Sequence, residues 1–468
     1  MELEHELESG KAKDAAASGG KQRDGFTTAL GVIAATLGSA VGLGNIWKFP
    51  SITGQNGGAA FIIVYLISTL LVGLPVMITE QMLGRKARKD AISTLRELAP
   101  KKQPWWLAGA AGVLAAFLIM AFYTEVAGWV FAYIYKSVVG GFLSTDPAVT
   151  SQAFVDLITN PMQSLLWQWV VLVVIGAILM MGVSKGIEAT TKRLMPILFL
   201  LLVAIGIRSL TLEGAGEGLR FLLQPDFSKV TWTTVLVAMG LAFFKLSTGM
   251  GTMITYGSYF REEQNIPGTA TKVMLADLLV SMLAGIAIFP AVFAFGFEVD
   301  AGPSLLFITI PAVFASMPLG NIFMVLFFIL AGIAATGAML SLLEVPVAFI
   351  NEKMHISRPV ATVITVVLLA LIGSTAALSS STLADVKVFG FTFFDLFDYT
   401  TSNILLPVGG LFIALFAGWV WGKDRIVDAL TNSGALKNEW VVKAFYVVIK
   451  FVTPVLLILV LLRGLSII

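Results

Sequence analysis

Long apolar runs recur along the chain and are separated by short polar loops. Each run holds about 20 residues or more, the length that an α-helix needs to cross the hydrocarbon core of a bilayer. The pattern predicts eleven membrane-spanning helices, which we call spans 1 to 11, at residues 27–50, 58–83, 105–135, 165–183, 190–209, 233–258, 270–296, 320–350, 357–377, 395–421 and 441–463. The apolar stretch 303–317 is shorter and has prolines at its edges, so it predicts a re-entrant or capping hairpin.

Two predicted spans contain residues that interrupt a helix. Span 1 carries Gly38-Ser-Ala-Val-Gly-Leu-Gly-Asn-Ile-Trp-Lys-Phe-Pro50, and span 6 carries Phe243-Phe-Lys-Leu-Ser-Thr-Gly-Met-Gly251. An irregular backbone at membrane depth is tolerated only inside protein or beside a watery cavity. Because the interruptions lie five spans apart, they predict an inverted repeat of five plus five spans around a central site. The alternative for span 1 is a glycine-rich helix that is kinked only for close packing.

The repeat sets the expected domain organisation. We expect a disordered cytoplasmic tail at residues 1–24, a first repeat at 25–210, an extracellular loop at 211–232, a second repeat at 233–422 that includes the hairpin 303–317, and a cytoplasmic loop with span 11 at 423–468. Lysine and arginine are concentrated in the tail and in the loops on its side of the membrane, as is typical of cytoplasmic segments. We therefore expect a cytoplasmic N-terminus and, with eleven spans, an extracytoplasmic C-terminus.

Composition excludes several classes of function. The 468 residues are 57% hydrophobic and only 13% charged, whereas soluble domains carry about a quarter charged residues. The chain has no cysteine, two histidines outside the apolar runs and no Gly-x-x-x-x-Gly-Lys-Ser/Thr loop. These absences argue against thiol chemistry, a metal centre and an ATP-driven motor. We expect a polytopic membrane protein that is not an enzyme, since no nucleophile–base pair is visible.

The chain resembles the neurotransmitter:sodium symporter family, and within it the bacterial LeuT-like amino-acid transporters. The similar segments are Gly38–Pro50, Asn56-Gly-Gly-Ala-Ala-Phe61, Leu71-Val-Gly-Leu-Pro75, the Ser247…Gly249-Met-Gly251 break and Ile254-Thr-Tyr-Gly-Ser-Tyr259. The resemblance implies the LeuT fold: an all-α polytopic membrane protein with a 5+5 inverted repeat, broken helices 1 and 6, and eleven transmembrane helices. It also implies alternating access in a bacterial inner membrane.

The resemblance assigns a substrate pocket residue by residue. In the family, span 1 backbone amides bind the substrate carboxylate, while spans 3, 6 and 8 enclose its side chain. The matching positions here are Ala40, Leu43, Gly44, Ile119, Tyr123, Phe244, Ser247, Met250, Ala338 and Leu342. The tyrosine hydroxyl is expected to bind the carboxylate. An apolar, aromatic lining suits a neutral amino acid with an apolar side chain.

Two gates are also implied by the resemblance. Lys48 and Asp398 occupy the positions of an extracellular arginine–aspartate pair. Lysine keeps the charge but lacks the two-pronged geometry of arginine, so this gate is expected to close less firmly. Arg23 and Glu352 occupy the positions of a cytoplasmic pair. The alternative for all four is an ordinary solvated surface.

The first sodium site of the family does not match. Its ligands are a span 1 alanine carbonyl and asparagine, a span 6 hydroxyl and a span 7 asparagine. Ala40 and Asn45 are present, but Lys245 and Asp277 stand at the other two positions. An ammonium group has no acceptor and cannot coordinate Na⁺. We predict that Lys245, paired with Asp277, substitutes for the cation; the alternative is that Lys245 extends to a surface.

The second sodium site lacks ligands as well. The resemblance places its carbonyl ligands at Gly38, Val41 and Ala334. Gly337 and Ala338 stand where the family has two hydroxyls, and Thr336, one residue away, supplies a hydroxyl in another register. Hard cations need oxygen ligands, and the loss of two should weaken binding severely.

These observations predict a secondary transporter that imports neutral hydrophobic, including aromatic, amino acids without sodium. Lys245 is then either a fixed counter-charge or a proton carrier, and Glu125 is a further ionisable group inside a span. The alternatives are a conventional sodium:amino-acid symporter and a sensor that binds without transporting. We expect no cofactor, Na⁺ or H⁺ as the coupling ion, no nucleic-acid partner, and a monomer or homodimer in the lipid bilayer.

Overall fold

The computed structural model describes residues 24–140, 144–296 and 305–467, and this part of the chain is almost entirely helical. Spans 1 and 6 each consist of two helices, and the other spans are continuous. Their bounds are Ala29–Ala40 with Gly44–Gln55 (span 1), Ala59–Ala87 (span 2), Trp106–Val139 (span 3), Pro161–Met180 (span 4), Val183–Leu210 (span 5), Trp232–Lys245 with Thr252–Gly257 (span 6), Ile266–Ala294 (span 7), Gly320–Met354 (span 8), Arg358–Ala377 (span 9), Phe393–Trp421 (span 10) and Glu439–Gly464 (span 11).

The helix count is compatible with eleven crossings. Within the described ranges, nine helices are long and apolar enough to cross a membrane, and the bent pair of span 1 makes ten. The two helices of span 6 are each too short to cross alone, because the predicted break divides them. Counted together as one crossing, they are compatible with the eleven that the hydropathy pattern predicts.

Shorter helices occupy the connections. The part of the predicted hairpin that the structure describes forms Leu305–Thr309 and Ile310–Ala315, while residues 303 and 304 lie outside the described residues. The loop 211–232 contains the helix Ala215–Leu223, and the helix Lys423–Leu430 precedes span 11. Residues 1–23 of the predicted tail also lie outside. We call the side of the protein where span 1 begins the inner side, and the opposite side the outer side.

Span 5 begins at Val183, earlier than the predicted residue 190. Its first turns contain Glu188, whose carboxylate accepts the backbone N–H of Thr27 at 2.7 Å and the hydroxyls of Thr27 and Thr28 at 2.9 Å. Lys192 pairs with the same carboxylate at 2.9 Å. These contacts provide hydrogen-bond and charge partners for Glu188 at the polar start of span 5, which the hydropathy pattern predicts to be a loop. They also connect the first residues of span 1 to span 5.

Glycines allow spans 2 and 6 to touch backbone to backbone. A Cβ on Gly84 would lie 2.0 Å from the carbonyl oxygen of Ile254, and one on Gly257 would lie 2.4 Å from that of Gln81. Small residues at such crossings are the usual means by which membrane helices approach closely. The inner half of span 6 is thereby held against span 2.

We predict that Gly84→Ala destabilises the fold by about 1–3 kcal/mol, since a methyl group forced against a backbone carbonyl is overpacking. Thermal unfolding in detergent measures the change. Gly240→Ala is the control, because a Cβ on this helical glycine of span 6 meets nothing within 4 Å. Equal losses in the two variants would contradict the prediction.

Candidate functional site

Span 1 breaks at residues 41–43, where its two helices meet at 54°. A Cβ on Gly42 would lie 3.0 Å from the Cβ of Ala338 and 3.2 Å from the hydroxyl of Tyr123. The absence of a side chain therefore lets the break approach spans 3 and 8. The backbone N–H of Leu43 donates to the Tyr123 hydroxyl at 3.0 Å.

Span 6 breaks between Leu246 and Gly251. Ser247, Gly249 and Gly251 have φ angles of +53°, +78° and +72°, a region that favours glycine. The backbone N–H of Gly249 donates to the Glu80 carboxylate at 2.6 Å. The Ser247 hydroxyl donates to the carbonyl of Ser39 at 2.8 Å and so joins the two breaks. Both predicted interruptions are confirmed.

A cavity of about 40 Å³ lies between the two breaks and spans 3 and 8. Nine of the ten predicted pocket residues line it: Ala40, Gly44, Ile119, Tyr123, Phe244, Ser247, Met250, Ala338 and Leu342. Sequence reasoning missed Ser39 and Gly42, which also line it and belong to the same span 1 motif. This space holds roughly three water molecules, so an amino acid enters only if the lining side chains move apart.

A larger cavity, which we call the outer cavity, lies above the pocket and measures about 310 Å³. Leu43, the tenth predicted pocket residue, lines it together with Lys48 and Asp398. Lys48 lies over the ring of Phe244, 4.2 Å from its centroid, and Asp398 accepts the hydroxyl of Ser402 at 2.9 Å. The predicted pair of Lys48 with Asp398 is not formed in this structure, because the outer cavity is open between them. Its formation in another state stays a prediction.

The inner side of the pocket is closed by aromatic rings. Phe26 packs edge-on against Tyr256 and Tyr259, with centroid distances of 5.5 and 6.0 Å. Tyr259 also donates to Glu344, which binds the guanidinium of Arg358. On the other side, the pocket shares the lining residues Gly44, Tyr123 and Phe244 with the outer cavity.

The predicted inner gate is described on one side only. Glu352 accepts the backbone N–H of Asp90 at 2.9 Å. Arg23 lies outside the described residues, so the pair stays a prediction.

Lys245 also lines the pocket, and its ammonium group lies in a buried polar site. Its ammonium donates to the Asp277 carboxylate at 2.9 Å and to the Ser281 hydroxyl. The two charged side chains are 0% and 1% exposed. The rings of Phe49 and Tyr65 flank the ammonium, at 4.8 and 5.1 Å from their centroids. The alternative in which Lys245 extends to a surface is not what this structure shows.

Asp277 is held by donors from three elements. Besides Lys245, the amide of Asn45 donates to Oδ1 at 2.6 Å, and the hydroxyl of Tyr65 lies 3.5 Å from Oδ2. The side-chain oxygen Oδ1 of Asn45 accepts the backbone N–H of Gly42 at 3.2 Å. Since Asn45 and Asp277 are already bonded to protein donors and the central cation is an ammonium, these residues do not fit a sodium ion.

The position of the second sodium site is closed by direct contact between spans 1 and 8. A Cβ on Gly337 would lie 2.6 Å from the carbonyl oxygen of Gly38 and 3.2 Å from its Cα. Beside this contact, the hydroxyls of Ser39 and Ser341 bond at 2.8 Å. The Thr336 hydroxyl donates to Gly332 of its own helix at 2.8 Å. Of the other residues named for this site, Val41 belongs to the break itself, and Ala334 and Ala338 offer no side-chain oxygen.

Two broken helices that enclose a small pocket within a bundle of membrane-length helices are the arrangement of secondary transporters of the LeuT fold. A profile of the Sodium:neurotransmitter symporter family matches residues 23–146 and 154–468. The chain belongs to this family.

Relatives and a solved structure agree with this assignment. The chain is 39% identical over 438 residues to the uncharacterized sodium-dependent transporter YhdH of Bacillus subtilis, covering 94% of this chain and 97% of the relative. It is 34% identical over 456 residues to an uncharacterized sodium-dependent transporter of Haemophilus influenzae, covering 95% and 99%. The crystal structure of MhsT in complex with L-phenylalanine is similar, with a TM-score of 0.86, 42% identity and coverage of 95% of this chain and 100% of that chain. Because these relatives are transporters, the prediction that the chain is not an enzyme is confirmed.

We predict that Lys245→Met destabilises the protein by about 3–5 kcal/mol, because it leaves the Asp277 carboxylate buried without its counter-charge. Unfolding in detergent measures the loss. Adding Asp277→Asn to the same chain should restore part of the stability, since the double variant buries no charge. Strictly additive losses would show that the two side chains are not coupled.

Proposed function

We propose that this protein transports neutral amino acids with apolar side chains by alternating access, and that Lys245 does the work of a sodium ion. The observation that carries the proposal is the enclosed ion pair of Lys245 with Asp277, directly behind the break of span 6. The ammonium supplies a positive charge beside the pocket. Transport then needs no sodium ion at this position.

The lining of the pocket supports an apolar substrate. Ile119, Met250 and Leu342 face the cavity from three spans, and Phe244 covers it towards the outer side. The Leu43 amide and the Tyr123 hydroxyl, which bond to each other in this structure, are placed to bind a carboxylate instead. MhsT, the similar solved structure, holds L-phenylalanine.

The contact at the second ion position supports sodium independence further. Gly38 and Gly337 pack backbone to backbone, and the Ser39–Ser341 bond links the same two helices. These contacts join spans 1 and 8 directly, so that no ion is needed to bridge the two helices. The printed names of the Bacillus and Haemophilus relatives include sodium dependence, so a conventional sodium symporter is the alternative to be tested.

The remaining details follow the sequence expectations. We propose import across a bacterial inner membrane, with the N-terminus in the cytoplasm, because Lys and Arg are concentrated on the side of the tail. Import matches a pocket that shares lining residues with the outer cavity.

We predict that purified protein in liposomes takes up labelled phenylalanine or leucine equally well in sodium and in choline buffers. Lys245→Thr should lose this independence and require sodium, because a hydroxyl and the vacated space beside Asp277 restore oxygen ligands for a hard cation. Lys450→Thr is the matched control. It also removes a lysine that lies on aromatic rings inside a span, but away from the pocket.

Three outcomes would contradict the proposal. A sodium requirement in the unmodified protein would favour the conventional symporter. If the Lys245→Thr variant takes up substrate equally well in sodium and in choline buffers, the lysine does not occupy an ion position. Tight binding without uptake would favour the sensor.

We predict that Tyr123→Phe weakens phenylalanine binding about 10-fold or more, since a hydrogen bond to a charged group contributes about 1.5–3 kcal/mol. Isothermal titration or scintillation proximity measures the affinity. Tyr135→Phe is the control, because Tyr135 lies on the same helix and its side chain is exposed. A similar change in both variants would argue against a direct contact of Tyr123 with the substrate.

A further inference from the structure

Glu125 is a buried carboxyl group that the ion pair and the gates leave unused. It lies near the middle of span 3, and the residue is 1% exposed. Its Oε2 atom has no hydrogen-bond partner, and no salt bridge reaches it among the described residues. Among the other buried glutamates of the described residues, Glu80 bonds to the span 6 break, Glu344 to Arg358 and Glu188 to span 1, although Oε2 of Glu80 also has no partner.

No charged group packed around span 3 compensates Glu125. Span 4 carries no titratable side chain, and span 9 carries only Arg358, which binds Glu344 at the inner end. The remaining titratable groups on elements packed against span 3 are Arg96 and Glu97 of the helix Ala91–Leu98, Asp156 of the helix Pro147–Ile158, Glu344, Glu352 and Lys353 of span 8, Asp385 and Lys387 of the loop before span 10, and Asp395, Asp398 and Tyr399 of span 10. On span 3 itself the others are Tyr123, Tyr133, Tyr135 and Lys136.

A carboxylate in this environment is unfavourable. Burial of an unpaired charge costs several kcal/mol or more, and the usual result is that the group is neutral. The neutral acid avoids this penalty by keeping its proton. Ionisable groups with such surroundings inside membrane spans are typically parts of ion or proton pathways.

One hydrogen-bond donor close to Glu125 along the helix is unused. The indole Nε1 of Trp129 is buried without an acceptor, and Trp129 lies one helical turn away on the same face of span 3. A buried donor without an acceptor near a carboxyl group is an incomplete hydrogen-bond network.

An aromatic layer separates Glu125 from the outer cavity. The rings of Phe122 and Trp129, which flank Glu125 along the helix, both contact Phe394 of span 10 at centroid distances of 5.4 and 6.1 Å. Phe122 and Phe394 also line the outer cavity. A path for water from this space to the carboxyl group would require these rings to move apart.

We propose that Glu125 is a proton-binding site of the transport cycle: it takes a proton from the outer side, carries it while buried, and releases it to water on the inner side. The inference rests on the proposed transport function and assigns its driving ion. Lys245 stays a fixed cation in this scheme. Only a proton is bound and released, and no bond between heavy atoms changes.

The first test measures proton binding without transport. Glu125→Gln copies the neutral acid, so it should fold and bind phenylalanine. A group that keeps its proton in the folded state but loses it on unfolding makes folding less favourable as pH rises. The unfolding temperature of the unmodified protein should therefore fall relative to Glu125→Gln between about pH 5 and pH 8. A difference that does not depend on pH would overturn the proposal.

The second test measures coupling in liposomes without sodium. An inward gradient of two pH units drives up to about 100-fold accumulation at one proton per substrate, since one unit is a factor of ten. We expect the gradient to accelerate uptake by the unmodified protein and by Glu439→Gln, the same substitution at an exposed carboxyl group of span 11. Glu125→Gln should exchange substrate but ignore the gradient.

Three results of the second test would overturn the proposal. They are a gradient response in Glu125→Gln, no response in the unmodified protein, and an equal loss of response in Glu439→Gln. The failure of the transport function itself is distinguishable, since it removes uptake under every condition and leaves the unfolding measurement unaffected.

Discussion

The ion pair of Lys245 with Asp277 is the interaction on which the rest of the site depends. A lysine at the middle of a membrane protein is tolerated only with a counter-charge and full hydrogen bonding. The structure supplies Asp277, the Ser281 hydroxyl and two aromatic faces. Asn45, from the break of span 1, also donates to Asp277. The pair therefore fixes the two broken helices and span 7 relative to one another, in the place where relatives are expected to bind an ion.

The fold was largely predictable because its determinants are local in sequence. Apolar runs of bilayer length give the spans, and Gly42, Gly249 and Gly251 mark the breaks. The pocket residues followed from the family motif, and the structure brings nine of them to one cavity. The charge pair was predictable as well, since a lysine at mid-span needs an acid and Asp277 stands on an adjacent predicted span.

Contacts between distant polar groups were not predictable from the pattern. The binding of Thr27 and Thr28 to Glu188 moves the start of span 5, and Arg358 joins Glu344 on a neighbouring helix. The bond between Ser39 and Ser341 depends on the rotation of both helices. Hydropathy treats all of these residues as polar interruptions. Which partner each one finds depends on helix register and tilt, which a single sequence does not determine. The open distance between Lys48 and Asp398 is likewise a property of one conformation.

The small volume of the pocket has a consequence for hydration at the centre of the bundle. A cavity of about 40 Å³ admits only a few water molecules between the two breaks. The side chains of Ile119, Met250 and Leu342 are among those that limit this space. Packing alone therefore excludes most water and small solutes from the centre in this conformation, whichever ion the protein binds.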